Sequence, residues 1–190
     1  MKERYEMRFA GSGGQGVILA SVIMAEAAVL AGLHTAQSQA YGPEARGGVS
    51  KAETILSTDR IWYTKVTQPD FLLALTQESV DKYTAELAED GVMIIDDTLQ
   101  APEGFDPARV IRIPIIETAE RVVGKSFTAN IVALGATNRV LGLYEEEILV
   151  QAVKMHIPAG TEELNQKALE AGAALITQDQ AEAFRVKGKE

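Results

Sequence analysis

Met7-Arg8-Phe9-Ala10-Gly11-Ser12-Gly13-Gly14-Gln15-Gly16 is the stretch whose reading decides the fold of this chain. A short apolar strand runs into a glycine-rich turn, and the turn opens directly onto a long apolar helix beginning at Val17. Gly11, Gly13 and Gly16 keep the G-x-G-x-x-G spacing. In that pattern one glycine permits a tight turn, one lets a ligand approach the backbone, and one lets the helix pack on the strand. The start of the helix adds amide donors and the positive end of its dipole, which together suit an anion. A glycine turn that binds nothing has the same pattern, so the flanking sequence has to discriminate.

A nicotinamide-binding unit places Asp or Glu about 20 residues beyond the loop, at the end of its second strand, to hold the ribose hydroxyls. The corresponding stretch here is His34-Thr35-Ala36-Gln37-Ser38-Gln39, without an acid. The next carboxylate, Glu44, falls inside a second loop, Tyr41-Gly42-Pro43-Glu44-Ala45-Arg46-Gly47-Gly48. Gly42, Gly47 and Gly48 give that loop backbone freedom, while Glu44 and Arg46 offer a carboxylate and a forked cation. Two readings stand for it: a second wall of a ligand crevice, or a surface connection whose Glu44 and Arg46 pair with each other.

At 190 residues and 46% hydrophobic composition, the chain can bury one substantial core, and we expect a single domain over 1–190. A formal charge of −9 argues against nucleic-acid or membrane-surface binding, both of which favour a basic face. The chain has no cysteine, which excludes thiolate-held iron–sulfur clusters, thiolate zinc sites and a cysteine nucleophile within it. His34 and His156 are its only imidazoles, and neither has metal-ligand spacing, so no metal is expected. No charged segment followed by an apolar core marks the chain for export, and a cytoplasmic location is expected.

The apolar run from Val17 to Ala31 contains Ser21 and Glu26 and is too short for a membrane span, so it reads as a buried helix. Its apolar residues go nearly all the way round the helical wheel. One side meets a sheet; the other meets either a partner, which includes a second copy of this chain, or other parts of the same chain.

Gly32 stops this helix as a C-terminal cap would. Extended segments follow at 34–39 and 49–57, with 59–65 as the return partner of the second. The runs at 70–75 and 91–96 are continuous and apolar, as expected for buried parallel strands, and 110–115 adds another. Asp96 and Asp97 lie at the carboxyl end of one strand, where acids either face a ligand crevice or cap the loop. Helical patterns cover 77–88, 127–141, 145–155 and 162–175, and a solvated, mobile tail is expected over 178–190. Alternation of strand and helix over the first two-thirds predicts an α/β fold. It is an open, mostly parallel, Rossmann-like sheet covered by helices, with a helical C-terminal part and ligands at the carboxyl ends of the strands.

Gly-Ser-Gly-Gly-Gln-Gly-Val at 11–17, followed by Tyr-Gly-Pro-Glu-Ala-Arg-Gly-Gly at 41–48, resembles the gamma subunit of 2-oxoacid:ferredoxin oxidoreductases, most of all the 2-oxoglutarate type. Asp70-Phe71, Phe127-Thr128-Ala129-Asn130, Glu163-Leu164-Asn165 and Lys167-Ala168 extend the resemblance along nearly the whole chain. It implies an accessory subunit of an enzyme that oxidatively decarboxylates a 2-oxoacid such as 2-oxoglutarate or pyruvate, forms an acyl-coenzyme A and passes electrons to ferredoxin. It further implies alpha, beta and ferredoxin-like delta partner subunits. These would carry thiamine diphosphate, Mg and the iron–sulfur clusters, with coenzyme A as co-substrate.

On that resemblance, the site residues are Gly11, Ser12, Gly13, Gly14, Gln15 and Gly16 of the first loop and Tyr41, Gly42, Glu44, Arg46, Gly47 and Gly48 of the second. Arg46 is the candidate anion contact, because its planar fork matches carboxylate or phosphate. Ser12, Gln15 and Tyr41 are candidate hydrogen-bond partners, and Asn130 is a weaker one, read first as a helix-start residue. The competing readings are a free-standing dinucleotide-binding module or small dehydrogenase, favoured by the glycine spacing, and a structural scaffold whose loop holds nothing.

Overall fold

The computed structural model describes residues 3–40 and 49–185. Six strands, β1 (Arg4–Ser12), β2 (His34–Ala40), β3 (Val49–Ser57), β4 (Phe71–Ala74), β5 (Val92–Asp96) and β6 (Val110–Ile113), form one sheet in the order β2-β3-β1-β4-β5-β6. β1, β4, β5 and β6 are mutually parallel. β3 runs antiparallel to both β1 and β2. β4 and β5, at the centre of the parallel strands, bury every side chain on both faces, which is why they read as unbroken apolar runs. β2, at the edge, has no fully buried residue and carries a polar sequence that discourages further pairing.

Pleat alternation divides the core in two. Tyr5, Met7 and Phe9 of β1, with Leu73 and Ile94, pack towards α1 (Val17–Leu30) and α4 (Ala129–Leu141). Ala10, Leu72, Ala74, Met93 and Ile95 face the other way, towards α2 (Gln77–Tyr83). Arg8 lies on this second face, 1% exposed. It pairs with Glu53 at 2.8 Å and Glu86 at 2.5 Å and stacks over the Tyr83 ring. A charge buried this deeply is tolerated because both carboxylates answer it.

Part of α1's all-round apolar pattern is covered within the chain, while Ile18, Leu19, Val22 and Leu30 are only half-buried and Val29 is 55% exposed. Ala20, Ile23, Met24, Ala27 and Ala28 are fully buried, and α5 (Glu146–His156) packs on the helix from the side away from the sheet. Tyr144 donates its hydroxyl proton to the Met24 carbonyl oxygen at 2.9 Å, and Ser21 shares a 2.8 Å hydroxyl contact with Thr54 of β3. α4 crosses α6 (Glu162–Ala174) so closely that a Cβ at Gly135 would overlap the Leu169 carbonyl and one at Gly172 the Val132 carbonyl. The short α3 (Ile115–Glu117) continues into a wider π turn ended by Gly124 at φ 90°.

Two expectations are corrected. Residues 59–65 form no strand: β3 takes β1 and β2 as its neighbours, which leaves no ladder for a return strand. The start of the expected mobile tail is instead helix α7 (Gln178–Phe184). Thr177 and Gln180 form a reciprocal capping box there, and Ala181 is buried. The remaining tail, 186–190, lies outside the described residues.

Candidate functional site

The strand β1 ends at Ser12, and residues 13–16 turn the chain into α1. Each glycine of this loop has a separate reason. A Cβ at Gly11 would stand 2.7 Å from Gln15 Oε1 and 3.0 Å from Val17 Cγ1, so this glycine allows the loop to close on itself. Gly14 and Gly16 hold φ of 93° and 73°, the left-handed region that L side chains resist. Among the described residues no atom lies within 4 Å of the Cβ position at Gly13, so that side of the loop is open there.

Gln15 clamps the loop. Its Oε1 accepts from the Ser12 amide at 2.7 Å, and its Nε2 donates to the Leu75 carbonyl at 3.1 Å, just beyond β4. Asn130, 3% exposed near the start of α4, donates from Nδ2 to the Gly16 carbonyl at 3.3 Å. The loop is therefore fastened to the ends of two neighbouring elements. α1 itself begins with no side-chain cap and no acid in its first turn, so its own residues leave the positive end of the helix dipole uncompensated.

The six first-loop residues thus come together at the carboxyl end of the parallel strands. Gln15 and Asn130 hold the loop's shape through bonds within the protein. Tyr41, Gly42, Glu44, Arg46, Gly47 and Gly48 lie outside the described residues. The residue that follows them, Val49, pairs with Ser12, so the chain re-enters the sheet beside the glycine loop. Of the two acids after β5, Asp96 is a cap. Its Oδ1 accepts from the Thr98 hydroxyl and amide at 2.6 and 3.2 Å, and its Oδ2 from the Ile116 amide at 2.9 Å.

Residues 11–16 carry no titratable side chain, so none of them can serve as a general acid or base. Among the described residues no three His, Asp or Glu side chains converge as a metal site requires. None of the helices there is long and apolar enough to cross a membrane. Sequence reasoning missed the Leu75 carbonyl as the loop's anchor.

Residues 6–175 match the family model described as pyruvate ferredoxin/flavodoxin oxidoreductase. The 2-oxoglutarate synthase subunit KorC of Methanothermobacter thermautotrophicus is 42% identical over 180 residues, covering 91% of this chain and 95% of that one. The crystal structure of a keto/oxoacid ferredoxin oxidoreductase gamma subunit from Geobacter sulfurreducens superposes with a TM-score of 0.79 at 45% identity, covering 95% and 98% of the two chains. The ketoisovalerate oxidoreductase subunit VorA of M. thermautotrophicus is 38% identical, over 88% of this chain but 35% of its own longer one. With strand order, glycine loop and full-length similarity in agreement, the chain belongs to the pyruvate ferredoxin/flavodoxin oxidoreductase family, as a gamma-type subunit of a 2-oxoacid:ferredoxin oxidoreductase.

Proposed function

We propose that this subunit serves an enzyme acting on 2-oxoglutarate and coenzyme A, and that its glycine loop forms part of the wall against which substrate or coenzyme A is positioned. The substrate class rests on the 2-oxoglutarate synthase subunits, of which the M. thermautotrophicus protein is 42% identical. The role of the loop rests on one observation above others: the open Gly13 backbone beside an uncapped helix start, held in place from behind by Gln15 and Asn130. Preformed amides at such a site stabilise carboxylate or phosphate without reorganising when the anion arrives.

On this reading the alpha, beta and delta subunits carry thiamine diphosphate, Mg and the clusters, and ferredoxin docks through the assembly. Residues 11–16 contain no carboxylate to ligate the Mg²⁺ that accompanies a diphosphate, and a chain without cysteine cannot hold a thiolate-bound cluster. Thiamine supplies the carbanion chemistry where it is bound. This chain would bind, orient and exclude water. Arg46 is proposed as the direct anion contact of the second loop.

Gly13→Ala in the assembled complex tests the reading. The added methyl meets nothing among the described residues and needs no positive φ, so stability should hold or rise by about 0.4–1 kcal/mol. The KM for coenzyme A or the oxoacid should rise about 10-fold, the scale of one misplaced methyl in a shaped pocket. Arg46→Ala should weaken turnover or coenzyme A dependence while leaving the assembly intact. Unchanged kinetics in both variants would remove the two loops from the site.

A further inference from the structure

Far from the glycine loop, at the opposite end of β1, residues 58–70 link β3 to β4 and display the chain's sole tryptophan. Trp62 is 80% exposed and Tyr63 59%. β1 separates this segment from the glycine loop, the run from Arg4 to Gly11 spanning about 23 Å at the usual rise. The site chemistry makes no use of it.

The segment is held from below. Arg4 donates from Nη1 to the Tyr63 carbonyl at 2.6 Å and from Nη2 to the Lys65 carbonyl at 3.3 Å, and is itself fixed by Glu6 at 2.6 Å. Glu6 accepts from the Thr67 amide at 3.3 Å, and Val66 is buried beneath. The Arg60 guanidinium stacks 4.2 Å from the centre of the Trp62 ring, covering one face and leaving the other open. A large aromatic exposed to this degree is unfavourable in a lone chain. One whose backbone is fastened in advance has little ordering entropy left to lose on binding. Trp, Tyr and Arg are also the residues that dominate interface energetics.

The longer VorA chain bears on what covers it. There, the part matching this chain occupies 35% of one polypeptide, whereas it spans 95% of the M. thermautotrophicus KorC subunit, so contacts that are internal in VorA fall between subunits in a KorC-type assembly. The exposed charges flanking the aromatics are two cations, Arg60 and Lys65, against one carboxylate, Asp59, a cationic excess in a chain of net charge −9 that favours an acidic rim opposite. We propose that the 60–65 segment is the anchor by which this chain seats on the subunit equivalent to the other two-thirds of the fused polypeptide, Trp62 entering an apolar slot with an acidic rim. The inference rests on membership of the multisubunit oxidoreductase and adds to it the surface that does the docking.

The test uses the full chain labelled with 5-fluorotryptophan, which gives one fluorine resonance, titrated with the native complex prepared without this subunit. The resonance should shift and lose its response to solvent isotope on binding. Trp62→Ala should raise Kd about 30-fold or more, with Trp62→Phe recovering part of the loss. Because Trp62 is so exposed, the isolated variant should keep its Tm within about 2 °C, which separates a docking defect from misfolding. Intact binding with an unmoved resonance, or a Kd within about twofold of wild type, overturns the anchor alone. Self-association that Trp62→Ala abolishes while partner binding persists overturns it in favour of a second copy. Failure of the wild-type chain to bind any such complex overturns the assembly reading and the anchor with it.

Discussion

Gly16 and Asn130 are 114 residues apart and meet at the base of the candidate site, and a double-mutant cycle between them should show strong coupling. Gly16→Ala introduces two costs. Its φ of 73° and ψ of 18° place an L side chain in the left-handed region, at about 1–2 kcal/mol. Its Cβ would then stand 2.5 Å from Asn130 Nδ2 and 2.8 Å from Asn130 Cγ, so the amide must leave and its bond to the Gly16 carbonyl is lost, at about 1.5 kcal/mol. The single variant should therefore lose about 3 kcal/mol, and Asn130→Ala, which removes the same bond, about 2 kcal/mol. In the double variant the amide is already absent and only the left-handed penalty is added. The sum should be about 3–3.5 kcal/mol instead of 5, a coupling of about 1.5 kcal/mol. Urea unfolding with a common m-value measures it through the shift in midpoint. Strict additivity, or a Gly16→Ala midpoint equal to wild type, would refute the argument that Asn130 is what the glycine makes room for.

Gly135→Ala and Gly172→Ala should each cost about 3 kcal/mol or more, because the new methyl meets backbone carbonyls of the crossing helix, which cannot rotate away as a side chain can. Thermal unfolding would show a Tm lower by about 6 °C or more, and an unchanged Tm would mean the α4–α6 crossing is looser than described. Stability should also fall above pH 10, because burial pushes the Tyr5 and Tyr144 hydroxyls above their ordinary value of 10.0, with the Asp70 and Asp90 charges adding to the effect at Tyr5. Below pH 10 both states keep these protons. Above it the unfolded chain releases protons that the folded chain retains, so each tyrosine contributes a loss of up to about 1.4 kcal/mol per pH unit. Tyr144→Phe should remove one such contribution from the alkaline slope of the unfolding free energy, and an unaltered slope would contradict it.

The central parallel strands were legible because burial on both faces leaves an uninterrupted apolar run, as in Phe71-Leu72-Leu73-Ala74 and Val92-Met93-Ile94-Ile95. The place of β3 between β1 and β2 was not. Pairing order is set by how crossovers pack, and Val49–Ser57 carries no signal of which strands it will join. α7 was hidden by a charged, solvated composition, although Thr177 and Gln180 stood in sequence as a capping box. At the candidate site the glycine spacing announced a loop, yet the clamps that shape it were invisible. Gln15 reaches Leu75 and Gly16 meets Asn130 only after strands 60 and helices 114 residues away have taken their places. The position of Gln15 within the motif suggested a ligand donor; the fold shows its amide engaged in holding the loop.

β1 connects the candidate glycine loop with the proposed docking segment. Arg4 holds the Trp62 segment at one end, and Ser12 opens the glycine loop at the other. Between them, Met7 and Phe9 fill the α1 side while Arg8 is committed to Glu53 and Glu86 on the α2 side. A slip of one residue would exchange these faces, placing the arginine in the apolar core and the phenylalanine among carboxylates. The strand's register is therefore among the best determined features of the molecule. With the 60–65 segment seated on its partner as proposed, the register of β1 sets how far beyond that contact, and in what orientation, the glycine loop is presented.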